Sequence, residues 1–314
     1  MTEKKDFVVF PGGIFRDLVA TTPKFPKAGE TIMGADFFMG FGGKSANQSV
    51  MCALLGGKSS IVGKLGDDDH GKAYALNFKD VGVRTEHLKI EPNSCSGVAS
   101  IFVNTESGEN EIIIIAGANA KMSPDDIEEA DALFRSANLV VCALEMNMDA
   151  IVASLKKGQS HGARTILNAA PARKDLNPDI LAHTDILCVN ETEAEIMTGL
   201  PVQSLDEVRI GCNALLEKCP TVIITLGAKG AMFATRDSPD PVLVETEKVD
   251  KVVDTTGAGD AFTGALAFYL DQLKHLDLKE CIRRSCLIAS LSVQKPGTQA
   301  SYPKAADIDP KLLK

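Results

Sequence analysis

The sequence predicts an α/β fold, an αβα sandwich built on a doubly wound, mostly parallel sheet, with a small β-sheet lid attached. Three observations carry this expectation. Short β-branched runs alternate with amphipathic helical stretches. Several runs are apolar at almost every position, as in Leu139-Val140-Val141-Cys142-Ala143-Leu144. Two regions break the alternation with strand pieces that no helix separates. Continuous apolar runs suit parallel strands covered on both faces, and β–α alternation winds such strands into one sheet. The chain of 314 residues is read as a single domain over 1–314.

In chain order, the apolar runs place strands at Phe7–Phe10, Ser60–Lys64, Ala99–Val103, Ile112–Ile115, Leu139–Leu144, Thr165–Asn168, Ile186–Val189, Val222–Leu226 and Ala231–Ala234. Helical spacing places helices at Ala46–Leu55, Gly71–Val81, Ser123–Ser136, Met148–His161, Glu191–Thr198 and Leu205–Lys218. Ser123-Pro124-Asp125-Asp126 is a helix start, with a Ser cap, Pro in the first turn and acids facing the dipole. Near the end, Phe262, Ala265, Leu266, Tyr269, Leu270 and Leu273 share one face of a helix. Residues 14–41 carry Pro23, Pro26, Gly29, Gly34 and Gly40 among short extended pieces. Residues 95–116 read as a hairpin, Gly97–Val103 and Asn110–Ile115, around Glu106-Ser107-Gly108-Glu109. Together 14–41 and 95–116 are expected to form the lid, over the carboxyl edge of the core sheet where open α/β sheets bind ligands.

Composition narrows the function classes. Lys plus Arg number 33 against 42 Asp plus Glu, a net charge of -9, which argues against a nucleic-acid partner. Trp is absent and aromatics are 5%, too few for base stacking. The longest aliphatic run, Ile112–Ala116, is far too short to cross a bilayer, so no membrane association is expected. Met1–Asp6 are charged and Phe7–Phe10 is shorter than a signal core, so a cytoplasmic location is expected, with nucleus or organelle left open. Eight Cys with no Cys-x-x-Cys pair read as buried, reduced thiols.

Five motifs carry candidate chemistry. Asp254-Thr255-Thr256-Gly257-Ala258-Gly259-Asp260 opens the helix that begins near Phe262. A Gly-rich turn at a helix N-terminus is an anion site for phosphate. Asp260 there is a general base beside a γ-phosphate, or, read more blandly, a first-turn acid facing the dipole. Gly42-Gly43-Lys44-Ser45-Ala46-Asn47-Gln48 fails as a Walker A loop because position 38 is Phe. Lys44 and Asn47, three apart, could share a helix face and donate to the hydroxyls of a polyol; a plain turn plus capped helix is the alternative. After the strand at Ile186–Val189, Asn190 and Glu193 could face a triphosphate and, through water, its Mg²⁺. Glu145 stands alone past an apolar strand end, and Thr225-Leu226-Gly227-Ala228-Lys229-Gly230 is a hairpin turn or a nucleotide contact.

This constellation resembles the ribokinase-like family of carbohydrate kinases, which includes ribokinases, fructokinases and adenosine kinases, over about Val8–Tyr302. The resemblance implies the ribokinase-like fold with its lid, often paired into a homodimer through the lid. It implies transfer of the ATP γ-phosphate to the 5-hydroxyl of D-ribose, with another sugar or nucleoside, or a non-catalytic sugar sensor, as alternatives. By resemblance Asp260 is the catalytic base, and the amides of Gly257, Ala258, Gly259 and Asp260 form the anion hole. Asp17, Gly42, Gly43, Lys44, Asn47 and Glu145 match ribose-binding positions. Asn190, Thr225 to Gly230, Gly259 and Cys286 match nucleotide-binding positions, and Glu193 the acid near Mg²⁺. An activating K⁺ would be held by Asp254, Thr256, Ser292, Lys295, Gly297 and Ser301, mostly through carbonyls. Phe15 and Ser45 stand where relatives often carry Asn and Gly.

Overall fold

The computed structural model describes residues 7–314; the charged residues 1–6, on which the expected absence of a leader partly rests, lie outside the described residues. The strands are β1 (Phe7–Pro11), β2 (Phe15–Thr22), β3 (Asp36–Gly42), β4 (Ser59–Gly66), β5 (Arg84–Glu91), β6 (Gly97–Asn104), β7 (Asn110–Ile115), β8 (Ala137–Ala143), β9 (Arg164–Asn168), β10 (Ile186–Asn190), β11 (Thr221–Thr225), β12 (Ala231–Thr235) and β13 (Ser238–Val244). The helices are α1 (Lys44–Leu54), α2 (Asp69–Asp80), α3 (Pro124–Glu129), α4 (Asp131–Arg135), α5 (Met148–Ser160), α6 (Pro178–Ala182), α7 (Glu191–Thr198), α8 (Leu205–Leu216), α9 (Ala258–Gln272) and α10 (Leu278–Ser292).

Nine strands form one sheet in the order β13-β12-β11-β10-β9-β8-β1-β4-β5. It is parallel from β5 to β11, and antiparallel at β11–β12 and β12–β13. Alternation along each strand divides the core in two. Val8 and Phe10 of β1 pack with α1, α9 and α10, while Val9 packs with Ile127, Ile151 and Leu155 from α3 and α5. From β1 the chain first builds outward to β4 and β5, then returns to build β8 to β11 on the other side. The order reverses between β1 and β8, and a crevice opens at the carboxyl ends of the strands there.

The second sheet has the order β3-β2-β6-β7, antiparallel except for β2–β6. It occupies the two segments read as a lid, but 14–41 holds two full strands rather than short pieces. Phe37, Phe38 and Met39 of β3 and Ile112 to Ile115 of β7 are all exposed. With so little of either face covered, residues of both faces are apolar and no clean period-2 pattern marks these strands.

The expected helix over 123–136 is two helices. Its start is the capping box foreseen at Ser123, but the buried Ala130 leaves helical geometry and its carbonyl accepts from both Leu133 and Phe134. All eight cysteines are free; seven are buried, and Cys95 is exposed, contrary to expectation. No described helix is long and apolar enough to cross a membrane.

Two helices matter most for the site. α9 is apolar nearly all round and lies against α1. They approach closely at Gly264, where a Cβ would stand 2.5 Å from the Gln48 carbonyl oxygen and 2.7 Å from Met51 Cβ.

Candidate active site

The crevice begins with two acids. Asp17, on β2, lies against β3 so closely that a Cβ on Gly42 would come within 2.3 Å of its Oδ1. Glu145 follows β8, and its Oε2 accepts from the Lys44 amide at 2.6 Å; a Cβ on Gly13 would meet that oxygen at 2.6 Å. Gly43 turns between these groups in the left-handed region, φ 92°, with no room for a side chain against Gly13 O. Burial pushes the Asp17 carboxyl up to about 6, against the pull of Arg16. Burial likewise pushes Glu145 up to about 7, against the pull of Lys44. Two partly buried acceptors close to Gly13, Gly42 and Gly43 are suited to neutral donors such as sugar hydroxyls.

Asp260 is buried in the first turn of α9 and is held by α1 from both sides. Its Oδ2 accepts from Asn47 Nδ2 and its Oδ1 from Gln48 Nε2, both at 2.9 Å. The Lys44 ammonium is held above its usual range, first by Asp260, then by Glu145 and Glu193. Lys44 lines a cavity with Asn190, Glu193, Thr225, Gly257, Gly259 and Asp260. To the expectation that Lys44 and Asn47 donate to a polyol, the structure adds that Asn47 also donates to Asp260. The Lys44 side chain lines the cavity beside Asp260, and its backbone N–H donates to Glu145.

The Gly-rich turn presents free amides at the start of α9, three rather than the four expected. Gly257 caps α9 in the left-handed region, φ 77°, and Tyr302 donates to its carbonyl at 3.1 Å. The N–H of Ala258 is spent on Thr255 O at 3.2 Å. Among the described residues nothing accepts from the amides of Gly257, Gly259 and Asp260, so these three, not four, point free at the helix N-terminus.

On the nucleotide side, Asn190 and Glu193 form a reciprocal capping box, each side chain accepting from the other's amide at 2.8 Å. A cavity continues from there past Thr225, Gly227, Ala228, Gly230, Thr255, Gly259 and Cys286. Leu226 does not join them, because it packs into the core, and Lys229 is exposed. Both corrections follow from the turn at Gly227–Lys229 closing the β11–β12 hairpin. Thr246 to Val249 and Val252 close the pocket's outer side and carried no sequence signal. Burial pushes the Cys286 thiol up to about 12, so it acts as an apolar wall.

The residues expected to hold a monovalent cation come together in part. Asp254 accepts from the amides of Thr256 and Gly297, each at 2.9 Å, which ties the Gly-rich turn to the segment after α10. The Ser292 and Ser301 hydroxyls bond Ala289 O and Thr298 O. Lys295 is exposed. Gln48, Tyr74 and Gln299 bear on the site and were not singled out by sequence. Ser45, where relatives often carry Gly, bonds Pro11 O at 2.9 Å beside Gly12, where a Cβ would stand 2.6 Å from its Oγ.

Comparison with known proteins gives the same frame. The description "pfkB family carbohydrate kinase" matches residues 5–305. The chain is 44% identical over 307 residues to a ribokinase of Mus musculus, covering 98% of this chain and 94% of that one. It is 39% identical over 288 residues to a deoxyribokinase of Salmonella typhi, covering 91% and 92%. The structure of Arabidopsis thaliana ribokinase complexed with ribose and ATP superposes with a TM-score of 0.89 at 31% identity, over 99% of each chain. The chain belongs to the pfkB family of carbohydrate kinases.

Proposed function

We propose that this pfkB-family carbohydrate kinase is an ATP-dependent ribokinase, transferring the γ-phosphate of ATP to the 5-hydroxyl of D-ribose to give D-ribose 5-phosphate and ADP. One observation carries the reading. Asp260 stands in the field of two partly buried carboxylates, Asp17 and Glu145, and beside the three free amides at the start of α9. A base with a hydroxyl-binding pocket on one side and an anion hole on the other is the arrangement phosphoryl transfer to an alcohol needs.

Asp260 takes the proton of the 5-hydroxyl as its oxygen attacks γ-phosphorus and the bond to ADP breaks. The amides of Gly257, Gly259 and Asp260, with the Lys44 ammonium, meet the charge on the moving phosphoryl group. Asp17 and Glu145 accept from sugar hydroxyls. Thr225, Gly227, Gly230 and Cys286 flank the nucleotide, and Asn190 and Glu193 face its phosphates.

Mg²⁺ would sit with ATP near Glu193, through water, and would offset phosphate charge. K⁺ would sit where Asp254 draws Gly297 to the Gly-rich turn, ligated by Asp254 and by backbone carbonyls from Thr256 and 292–301. A carboxylate plus carbonyls is a hard oxygen set that fits such an ion. The exposed Ile112–Ile115 edge and Phe37–Met39 support pairing of two lids into a homodimer.

The deoxyribokinase similarity favours 2-deoxy-D-ribose as a second acceptor. ADP release over ribose, 2-deoxyribose, fructose and adenosine tests both readings. The highest kcat/KM with ribose is expected; no turnover with any sugar would leave a sensor.

A further inference from the structure

The hydrogen bonds around Asp260 have a direction that the base itself dictates. An ionised carboxylate only accepts, so Asn47 must turn its Nδ2 toward Asp260. That leaves Asn47 Oδ1 facing Gln299, which must then present its Nε2, and this nitrogen donates to Asn47 Oδ1 at 2.9 Å. The same Nε2 donates to the Tyr74 hydroxyl, also at 2.9 Å. Having accepted, Tyr74 gives its own proton to the carbonyl of Gly42 at 2.5 Å, at the end of β3 where the lid joins α1. Gln299 Oε1 accepts from Asn77 Nδ2 at 3.0 Å, so neither end of its amide is free to turn. Tyr74 is fully buried, with its ring packed edge-on to Phe41 at 4.9 Å. The chain of donors thus runs from Gln299 in two directions, to the base through Asn47 and to the lid through Tyr74.

We propose that Gln299 is a positioning residue for phosphoryl transfer, holding Asn47 and hence Asp260 in register with the seated lid. It lines neither the phosphate cavity nor the nucleotide cavity. Its place is set by Gly297, which Asp254 holds two residues earlier. When the lid is displaced, Gly42 leaves Tyr74, the hydroxyl turns toward another partner, and Gln299 loses one of the three hydrogen bonds that fix its amide. The base is then well oriented only when the sugar is covered, which limits idle hydrolysis of ATP. This inference rests on the kinase reading above.

Two substitutions separate positioning from space filling. Gln299→Glu keeps the shape and the Asn77 contact but sets an acceptor against Asn47 Oδ1, so Asn47 flips and turns its oxygen on Asp260. Gln299→Leu removes the contact without forcing the flip. At pH 8, kcat with ribose is expected to fall about 100-fold in Gln299→Glu and about 10-fold in Gln299→Leu, with ATP KM within about twofold. As pH is lowered from 8 to 5 the glutamate variant should regain activity relative to wild type, because a growing fraction of its carboxyl is protonated and donates again, and the leucine variant should not. A space-filling role gives the opposite order, mild for the isostere and severe for leucine; that order, or a ratio to wild type independent of pH, overturns the proposal. Tyr74→Phe supplies a second route should the glutamate variant not fold. Its effect on kcat combined with Gln299→Leu should be less than the product of the two, and strictly multiplicative losses overturn the coupling. Wild-type turnover with ribose is measured in the same series. Its absence counts against the kinase reading, whereas an active wild type with the wrong order of variants counts against the role of Gln299.

Discussion

Asn47 and Asp260 lie 213 positions apart and are joined by a 2.9 Å hydrogen bond inside the protein. A residue expected to read the sugar is therefore one that holds Asp260 in place. In the proposed mechanism sugar recognition and proton transfer would share one helix, α1, which supplies Lys44, Asn47 and Gln48 within its first two turns.

Asp260→Asn keeps the size of the side chain and removes the base. A fall in kcat of ~10²–10⁴ with ribose affinity largely kept is expected, read from steady-state kinetics and direct sugar binding. A properly folded variant with near-wild-type kcat would sink the assignment.

Asp17→Ala removes a partly buried acceptor from the proposed sugar side. Charge-assisted bonds are worth roughly 1.5–3 kcal/mol, so ribose KM should rise ~10–100-fold while ATP KM barely moves. The reverse pattern would place Asp17 on the nucleotide side.

The raised carboxyls of Asp17, about 6, and Glu145, about 7, give two pH dependences of known sign. Sugar hydroxyls donate to the ionised forms, so ribose KM should rise as pH falls from 8 to 5.5. Stability of the unliganded protein goes the other way. Folded values above unfolded ones mean these groups favour folding at low pH and lose that contribution as pH rises through about 7. Glu145→Gln should therefore raise Tm at pH 8 but not at pH 4.5. Each tenfold difference in proton affinity between the folded and unfolded chain is worth roughly 1.4 kcal/mol, which sets the scale of the gain. Equal Tm changes at both pH values would contradict a buried, neutralised Glu145.

Replacing Na⁺ by K⁺ at constant ionic strength should raise activity several-fold, and Asp254→Ala should abolish the difference. Asp254 bonds two amides, so the variant also loosens the Gly-rich turn. Comparing K⁺ with Na⁺ within the variant separates that general loss from the cation effect. Equal rates in the two salts for the wild type would refute a K⁺-selective site.

Ile112 and Ile114 pair with Ile101 and Ala99 on β6, on the Asp17 face of the lid. Ile112→Glu with Ile114→Glu should convert a dimer to a monomer in light scattering while the protein stays folded. A wild type that is monomeric at micromolar concentration would remove the basis for this pairing.

Most of the core was readable because its strands are buried on both faces: β1, β8, β10 and β11 lie within a residue or two of their expected bounds. The start of α9 was readable because helix ends announce themselves in local chemistry, whereas the Asn190–Glu193 capping box was not marked. β2 and β3 were not, since their faces are partly bare and Pro and Gly interrupt the segment between them. β5 and β13 are edge strands with polar residues that blur the pattern, and α10 was not marked at all. At the site, Asp260 and the glycines carry a local signature. Tyr74 and Gln299 do not, because their meaning comes from partners 225 residues apart that only the folded chain brings together.

A missing methyl group on α9 sets the working distance of the reaction. Gly264 lies four residues after Asp260, on the stretch of α9 where α1 passes close, and the Gln48 carbonyl fills the space its side chain would take. The span between Asn47 and Asp260 is thus held close by the bare backbone of α9 seated against the Gln48 carbonyl and Met51 of α1. A single added carbon there would pry α1 from α9, drawing the hydroxyl-binding groups away from the base while leaving every group that contacts substrate chemically intact. Such a lesion would look like a failure of catalysis in an assay and like a packing defect in the fold, and it would be both.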